Sequence, residues 1–148
     1  MPYIIRKTFK VEYAHQLNSS YYVGCQNLHG HSAKIEVFLQ ADYLNKDEMV
    51  LDFAELKEIV GDYINSFDHV MIISKDASAS YIEALESNNT NIKHIKIVDY
   101  NPTAENMAKD IYDYVKNQLS KFESSRDRVR VAKVRFHETE TGYAEYFE

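Results

Sequence analysis

Two stretches decide the fold: Phe9-Lys10-Val11-Glu12-Tyr13-Ala14-His15, and His29-Gly30-His31-Ser32-Ala33-Lys34-Ile35-Glu36-Val37. In the first, Phe9, Val11, Tyr13 and His15 share one face, with Lys10, Glu12 and Ala14 on the other. In the second, His29, His31, Ala33, Ile35, Val37 and Leu39 oppose Ser32, Lys34, Glu36 and Gln40, and Phe38 alone is apolar and out of step. That period of two marks strands, and the first extends back to Tyr3. Asn18-Ser19-Ser20 and Gly24 open a polar loop between them, so the two read as an antiparallel pair.

Outward from this pair, Met49-Val50-Leu51 reads as a short strand. Asp52 follows as a helix cap, with Glu55 three residues on to complete a capping box. Phe53, Leu56, Ile59, Val60, Tyr63 and Ile64 give that helix its apolar stripe. Residues 78–86 suggest a short helix around Ile82 and Leu85, and 92–98 an edge strand. A second strong helix starts after Pro102-Thr103, with Thr103 as cap and Met107, Ile111, Tyr114, Val115, Leu119 and Phe122 on its buried face. Strands at 129–136 and 143–147, turning near Thr141-Gly142, close the pattern. The expected class is α+β, with helices on one face of an antiparallel sheet. Such a sheet has bare edges and one uncovered face, which proteins rarely leave exposed, so oligomerisation is expected.

The 148 residues suit one domain over 1–148, and 45% hydrophobic with 27% charged residues excludes wholesale disorder. With 17 Lys+Arg against 23 Asp+Glu, the charge of −6 argues against a nucleic-acid binder. No apolar run is long enough for a membrane span, and MPYIIRKTFK does not read as a secretory signal. One cysteine excludes an internal disulfide framework and fits a reducing, cytoplasmic setting. Four glycines and two prolines leave little room for linkers.

The chemistry gathers at the histidines. On a strand, His29 and His31 point the same way, and Gly30 between them lets a backbone or ligand approach. His15 ends the partner strand on the corresponding face. Three imidazoles meeting there would suit a zinc ion with an open fourth position; on spacing alone, ordinary core or surface histidines are the more favoured reading. Cys25, four residues before His29, is either a small buried hydrophobe or, beside a cation, a stabilised thiolate. Asp68-His69 is either a helix-end histidine or an acid–base pair whose carboxylate fixes the imidazole tautomer. Glu138, in Glu138-Thr139-Glu140-Thr141, is a solvated charge or an anchor for a guanidine-like ring edge. His94 and His137 read as structural or solvent-facing, and the twelve tyrosines mark no discrete site.

Taken in order, Phe9-Lys-Val-Glu-Tyr-Ala-His15, Cys25-Gln-Asn-Leu-His29-Gly-His31, Leu51-Asp52-Phe-Ala-Glu-Leu-Lys57, Phe67-Asp68-His69, Asn101-Pro-Thr-Ala-Glu-Asn106 and Glu138-Thr-Glu-Thr141 resemble the 6-pyruvoyltetrahydropterin synthase superfamily across nearly the whole chain. The four-residue step from Cys25 to His29 looks like its bacterial and archaeal 6-carboxy-5,6,7,8-tetrahydropterin synthase branch, of queuosine and deazapurine biosynthesis. The resemblance implies a tunnelling fold, in which four-stranded antiparallel sheets with two helices on one face close into a barrel as trimers or stacked hexamers. It implies Zn2+ on His15, His29 and His31, Cys25 as proton acceptor, Asp68-His69 as relay, and Glu138 on the pterin edge and in the relay. Thr103 and Glu105 would line the pterin pocket, and pockets between subunits let some of these residues serve a neighbour. The implied substrate is 7,8-dihydroneopterin triphosphate. Gln16 and Asn27 stand where the family often has basic residues, so Arg6, Lys7, Lys34 or a neighbour's lysines would have to meet the phosphates. Residues 71–100 exceed compact members and read as a surface elaboration.

Overall fold

The computed structural model describes residues 2–87 and 94–148. The chain runs β1 (Tyr3–His15), β2 (His29–Ala41), α1 (Phe53–Asn65), β3 (Val70–Ser74), α2 (Ala79–Ser87), β4 (Ile95–Val98), α3 (Ala104–Leu119), β5 (Val129–His137) and β6 (Tyr143–Tyr146). The strands form one sheet in the order β4-β3-β1-β2-β5-β6. The expected four-stranded antiparallel sheet with two helices gives way, among the described residues, to a mixed six-stranded sheet with three α-helices. Its β1-β2-β5-β6 portion is antiparallel throughout, and β3 and β4 extend it in parallel on the β1 side.

That extension corrects the reading of 71–100 as surface. Ile72 and Ile73 of β3 and Val98 of β4 are buried, and β3 pairs with β1 at Tyr13–His15, beside the histidines. The expected edge strand is β4, although residues 92 and 93 lie outside the described part. Val50 and Leu51 are buried without joining a strand. Asp52 caps α1 through the Ala54 N–H at 2.7 Å, but the expected capping box does not form, because the Glu55 carboxylate accepts the Ser124 hydroxyl instead. Phe53 and Phe122, placed on apolar stripes, are exposed; Phe53 is the first residue of α1, and Phe122 lies beyond the end of α3.

The two sheet faces differ as alternation requires. Val11, Ala33, Ile35, Val37, Leu39, Val134 and Phe136 face α1 and α3 and join Leu56, Ile64, Met107 and Ile111 in one core. On the other face Glu36 is buried, with Arg6 Nη1 at 2.8 Å, His137 Nε2 at 2.5 Å and Arg135 Nη1 at 3.5 Å. Burial raises the Glu36 carboxyl, but the bonds from His137 and Arg6 outweigh it and leave the group below its usual range. Phe38 fits this face because Lys133 and Arg135 lie over its ring. No described helix is long and apolar enough to cross a membrane.

Candidate metal centre and its surroundings

The β1–β2 register sets the site: His15 pairs with His29, Ala14 with Gly30 and Tyr13 with His31. A Cβ on Gly30 would lie 3.2 Å from the Tyr13 carbonyl oxygen, so glycine keeps the two backbones close there. The side chains of His15, His29 and His31 converge, each offering a ring nitrogen, all within 4.8 Å of one another. His15 is fully buried and His31 partly so.

Two backbone carbonyls fix the tautomers. His15 Nδ1–H donates to Pro102 O at 2.8 Å, and His29 Nδ1–H to Asn27 O at 2.7 Å. In the neutral rings the Nε2 lone pairs then point inward, and the two Nε2 atoms stand 2.9 Å apart. His31 Nε2 is buried with no hydrogen-bond partner. Burial holds His15 and His31 below the ordinary histidine value, favouring the neutral form that ligates metal. Inward lone pairs facing each other are repulsive unless a cation lies between them. The donor set fits a divalent metal with imidazole preference, and carbonyl partners on the remote nitrogens are the usual orienting contacts of such sites.

The loop before α3 supplies one of those partners. Asn101 Oδ1 accepts the Asn18 N–H, Asn106 Nδ2 donates to Asn101 O, and Thr103 Oγ1 caps α3 through the Asn106 N–H at 3.2 Å. Together they lock Pro102 O over His15.

Glu138, just beyond β5, reaches the same centre. Its Oε1 lies 3.4 Å from His15 Nε2 and 3.5 Å from His31 Nε2. The Tyr13 hydroxyl donates to that oxygen at 3.3 Å. Tyr13 also packs edge-on against His15, at 5.1 Å between centroids, and tilted against His31 at 5.7 Å. Burial, then the Glu138 charge, pushes its phenol up, so it stays a proton donor. Tyr13 is thus a site residue that sequence reasoning missed; its place two residues from His15 and opposite His31 was the available signal.

A cavity of about 270 Å³ beside the centre is lined by Thr103, Glu105, Glu138, Leu17 and Tyr143, so the two helix-start residues and the anchor carboxylate do share one pocket. Asp68 and His69 pair at 2.8 Å. Asp68 also accepts the Glu12 N–H at 2.7 Å, and that bond holds its carboxyl below the usual range. His69 occupies the left-handed region (φ 54°), its N–H donating to Glu12 O at 2.6 Å; a non-glycine residue pays strain there that cross-links must hold. The pair contacts Glu12 rather than the three histidines, though His69 and His31 line one cleft of about 500 Å³. Cys25 sits half-buried in a 3-10 turn (Val23–Gln26), its thiol without a hydrogen-bond partner among the described residues. Within one chain, then, the Asp68–His69 pair is bonded to Glu12 and not to the metal corner, and Cys25 is not among the residues whose ligand atoms converge there. His137 is structural, bonded to Glu36, and His94 Nε2–H donates to Leu85 O at 3.1 Å. Arg6 is likewise engaged by Glu36, and Gln16 accepts the Tyr81 hydroxyl at 2.8 Å.

A three-histidine corner at the end of an α+β sheet, with a carboxylate at its rim, could hold a metal ion. The family model for 6-pyruvoyl tetrahydropterin synthase matches residues 4–148, and the chain belongs to that family of pterin-processing, lyase-type enzymes. It is 35% identical to a 6-carboxy-5,6,7,8-tetrahydropterin synthase of Aquifex aeolicus, over 100% of this chain and 99% of that one. It is 31% identical to the enzyme of that name from Helicobacter pylori strain J99, over 97% of this chain and 72% of that protein. The fold matches a Plasmodium vivax 6-pyruvoyltetrahydropterin synthase variant with a TM-score of 0.74 at 16% identity, over 100% of this chain and 98% of that one.

Proposed function

We propose that this chain is a zinc-dependent 6-carboxy-5,6,7,8-tetrahydropterin synthase. It would convert 7,8-dihydroneopterin triphosphate and one water to 6-carboxy-5,6,7,8-tetrahydropterin with release of acetaldehyde and triphosphate, in queuosine or another 7-deazapurine pathway. One observation carries the reading: three imidazole nitrogens, two of them with tautomers fixed by carbonyls, converge beside a carboxylate-lined pocket.

His15, His29 and His31 would hold the ion, which supplies Lewis acidity toward the side-chain hydroxyls of the substrate. Glu138 grips the 2-amino and ring N–H edge of the pterin, with Thr103 and Glu105 lining the same pocket, so that the side chain meets the metal corner. Cys25 accepts the proton from the acidified C–H. His69, oriented by Asp68, exchanges a proton with the side-chain oxygen. Because the Asp68–His69 pair is bonded to Glu12 rather than to the three histidines within one chain, a complete site draws on neighbouring subunits. The sheet supports this: β3 covers β1 only at Tyr13–His15, and no described strand pairs with the outer edge of β6. Subunits joined at these edges would form a trimeric barrel or stacked hexamer.

The same carboxylate, relay and thiol would also serve a 6-pyruvoyltetrahydropterin synthase, the activity in the names of the matching family and of the Plasmodium structure. Incubation with 7,8-dihydroneopterin triphosphate, with and without chelator, followed by mass spectrometry decides. Chelator-sensitive acetaldehyde and the carboxy product support the first reading, a pyruvoyl side chain supports the second, and no turnover defeats both.

A further inference from the structure

Glu138 stands in a place that anchoring a pterin ring does not explain. Ligand atoms on a tetrahedral ion with bonds of about 2.0–2.1 Å lie about 3.3–3.4 Å apart. Glu138 Oε1 is 3.4 Å from His15 Nε2 and 3.5 Å from His31 Nε2, two separations of that size. With a neutral His15 ring and an ionised Glu138 the contact is not a hydrogen bond: the ring proton is on Nδ1, donated to Pro102 O, so Nε2 turns a lone pair toward a carboxylate oxygen. Two acceptors at this separation are held together favourably by a cation between them. The oxygen is also steered, because the Tyr13 hydroxyl donates to the same Oε1 at 3.3 Å while its ring is wedged against His15 and His31.

We propose that Glu138 is the fourth ligand of the metal in the substrate-free protein, held on that vertex by Tyr13, and that the arriving substrate displaces it. The inference rests on the reading that the three histidines bind a divalent ion, and deepens the role given to Glu138. The carboxylate stands on the border between the metal corner and the 270 Å³ cavity that also holds Thr103 and Glu105. A small rotation of one side chain exchanges the metal for the donor edge of a planar ring. The coordination position then opens only when a ring has something to offer the carboxylate, so ring capture and exposure of the metal become one event. A substrate tail without the ring would meet a closed ion.

The test uses the full-length protein, stripped of metal and refilled with Co2+, whose visible absorption reports the ligand set. Affinity is read by competition with a chromophoric chelator. Glu138→Gln keeps the shape and removes the charged ligand; it should weaken Co2+ binding about 10- to 100-fold and change the visible bands. Tyr13→Phe should weaken binding about tenfold, the scale of losing a group that orients a ligand. Glu140→Gln, a nearby carboxylate outside the centre, should leave both readouts unchanged. Adding 7,8-dihydropterin, which has the ring and no triphosphate tail, to the wild-type Co2+ protein should move its bands toward those of Glu138→Gln. If Glu138→Gln does not fold, Glu138→Asp retracts the oxygen by one methylene and should give the same loss. The proposal is overturned if the Glu138 variant binds Co2+ within twofold of wild type with the same spectrum. Wild-type protein that turns substrate over while the variant spectra are unchanged defeats this inference and leaves the proposed function standing. Wild-type protein that takes up no metal defeats both.

Discussion

His15 shows how much one side chain is asked to do. It ends β1, lies fully buried, and spends its Nδ1 proton on Pro102 so that Nε2 faces the centre. Replacing it or His31 with alanine removes one of the three histidines proposed to hold the metal, and metal retained after dialysis should fall at least 100-fold by elemental analysis, with the fold preserved by circular dichroism. Cys25 calls for the opposite outcome: its thiol lies outside the metal corner, so Cys25→Ala should keep full metal content while turnover falls about 100-fold or more, the scale of losing a positioned base. Turnover that survives this change undiminished removes the thiol from the chemistry. The histidines were legible in the sequence because a strand's period of two leaves little choice about which way His29 and His31 point. Tyr13 was not, since an apolar-faced tyrosine in a core stripe looks the same whether its hydroxyl meets a carboxylate or nothing. The orienting carbonyls of Pro102 and Asn27 were invisible for a plainer reason: any residue has one.

At the level of elements, caps and long periodic segments were readable, while partners chosen by tertiary structure were not. Thr103 was placed correctly as the cap of α3, and here a cap does more than stabilise a helix, because it fixes the turn that carries Pro102 to His15. Thr103→Ala should cost about 1 kcal/mol, a fall of about 2–4 °C in Tm for a chain of this size, with weaker metal retention as the turn loosens. A fall in Tm with unchanged metal affinity would show that the cap and the site are independent. Glu55 is the contrasting case: the spacing of a capping box was present, yet Ser124 takes its carboxylate, a competition the local sequence does not contain. β3 carries no strand signal of its own, because Val70–Ile73 is a run of four apolar residues ending at Ser74, with no alternation to declare a strand; its identity comes from pairing in parallel beside β1 and β4. That missed strand matters to function, since it follows directly on Asp68-His69 and holds that pair against Glu12.

Across the whole molecule, the sheet divides into an apolar face under the helices and a charged face opposite, and the carboxylate buried on the charged face among the described residues is a measure of how that second face is held. Glu36 is 1% exposed and collects Arg6, Arg135 and His137 from the neighbouring strands β1 and β5. Its carboxyl is depressed in the folded chain relative to the ordinary value of 4.5. The stability it contributes is therefore fully present above that value and is lost as pH falls through the lower folded one. Glu36→Gln keeps the shape but removes the charge that three bases share, and should cost about 2 kcal/mol at neutral pH. The gap between variant and wild type should then narrow as the solution is acidified below about pH 4.5, because protonation brings the wild type to the same neutral state. Urea unfolding at neutral pH and again near pH 3 measures both gaps. A difference that stays the same at the two pH values would mean that Glu36 acts through its shape alone, and that the charged face is held by something other than this cluster.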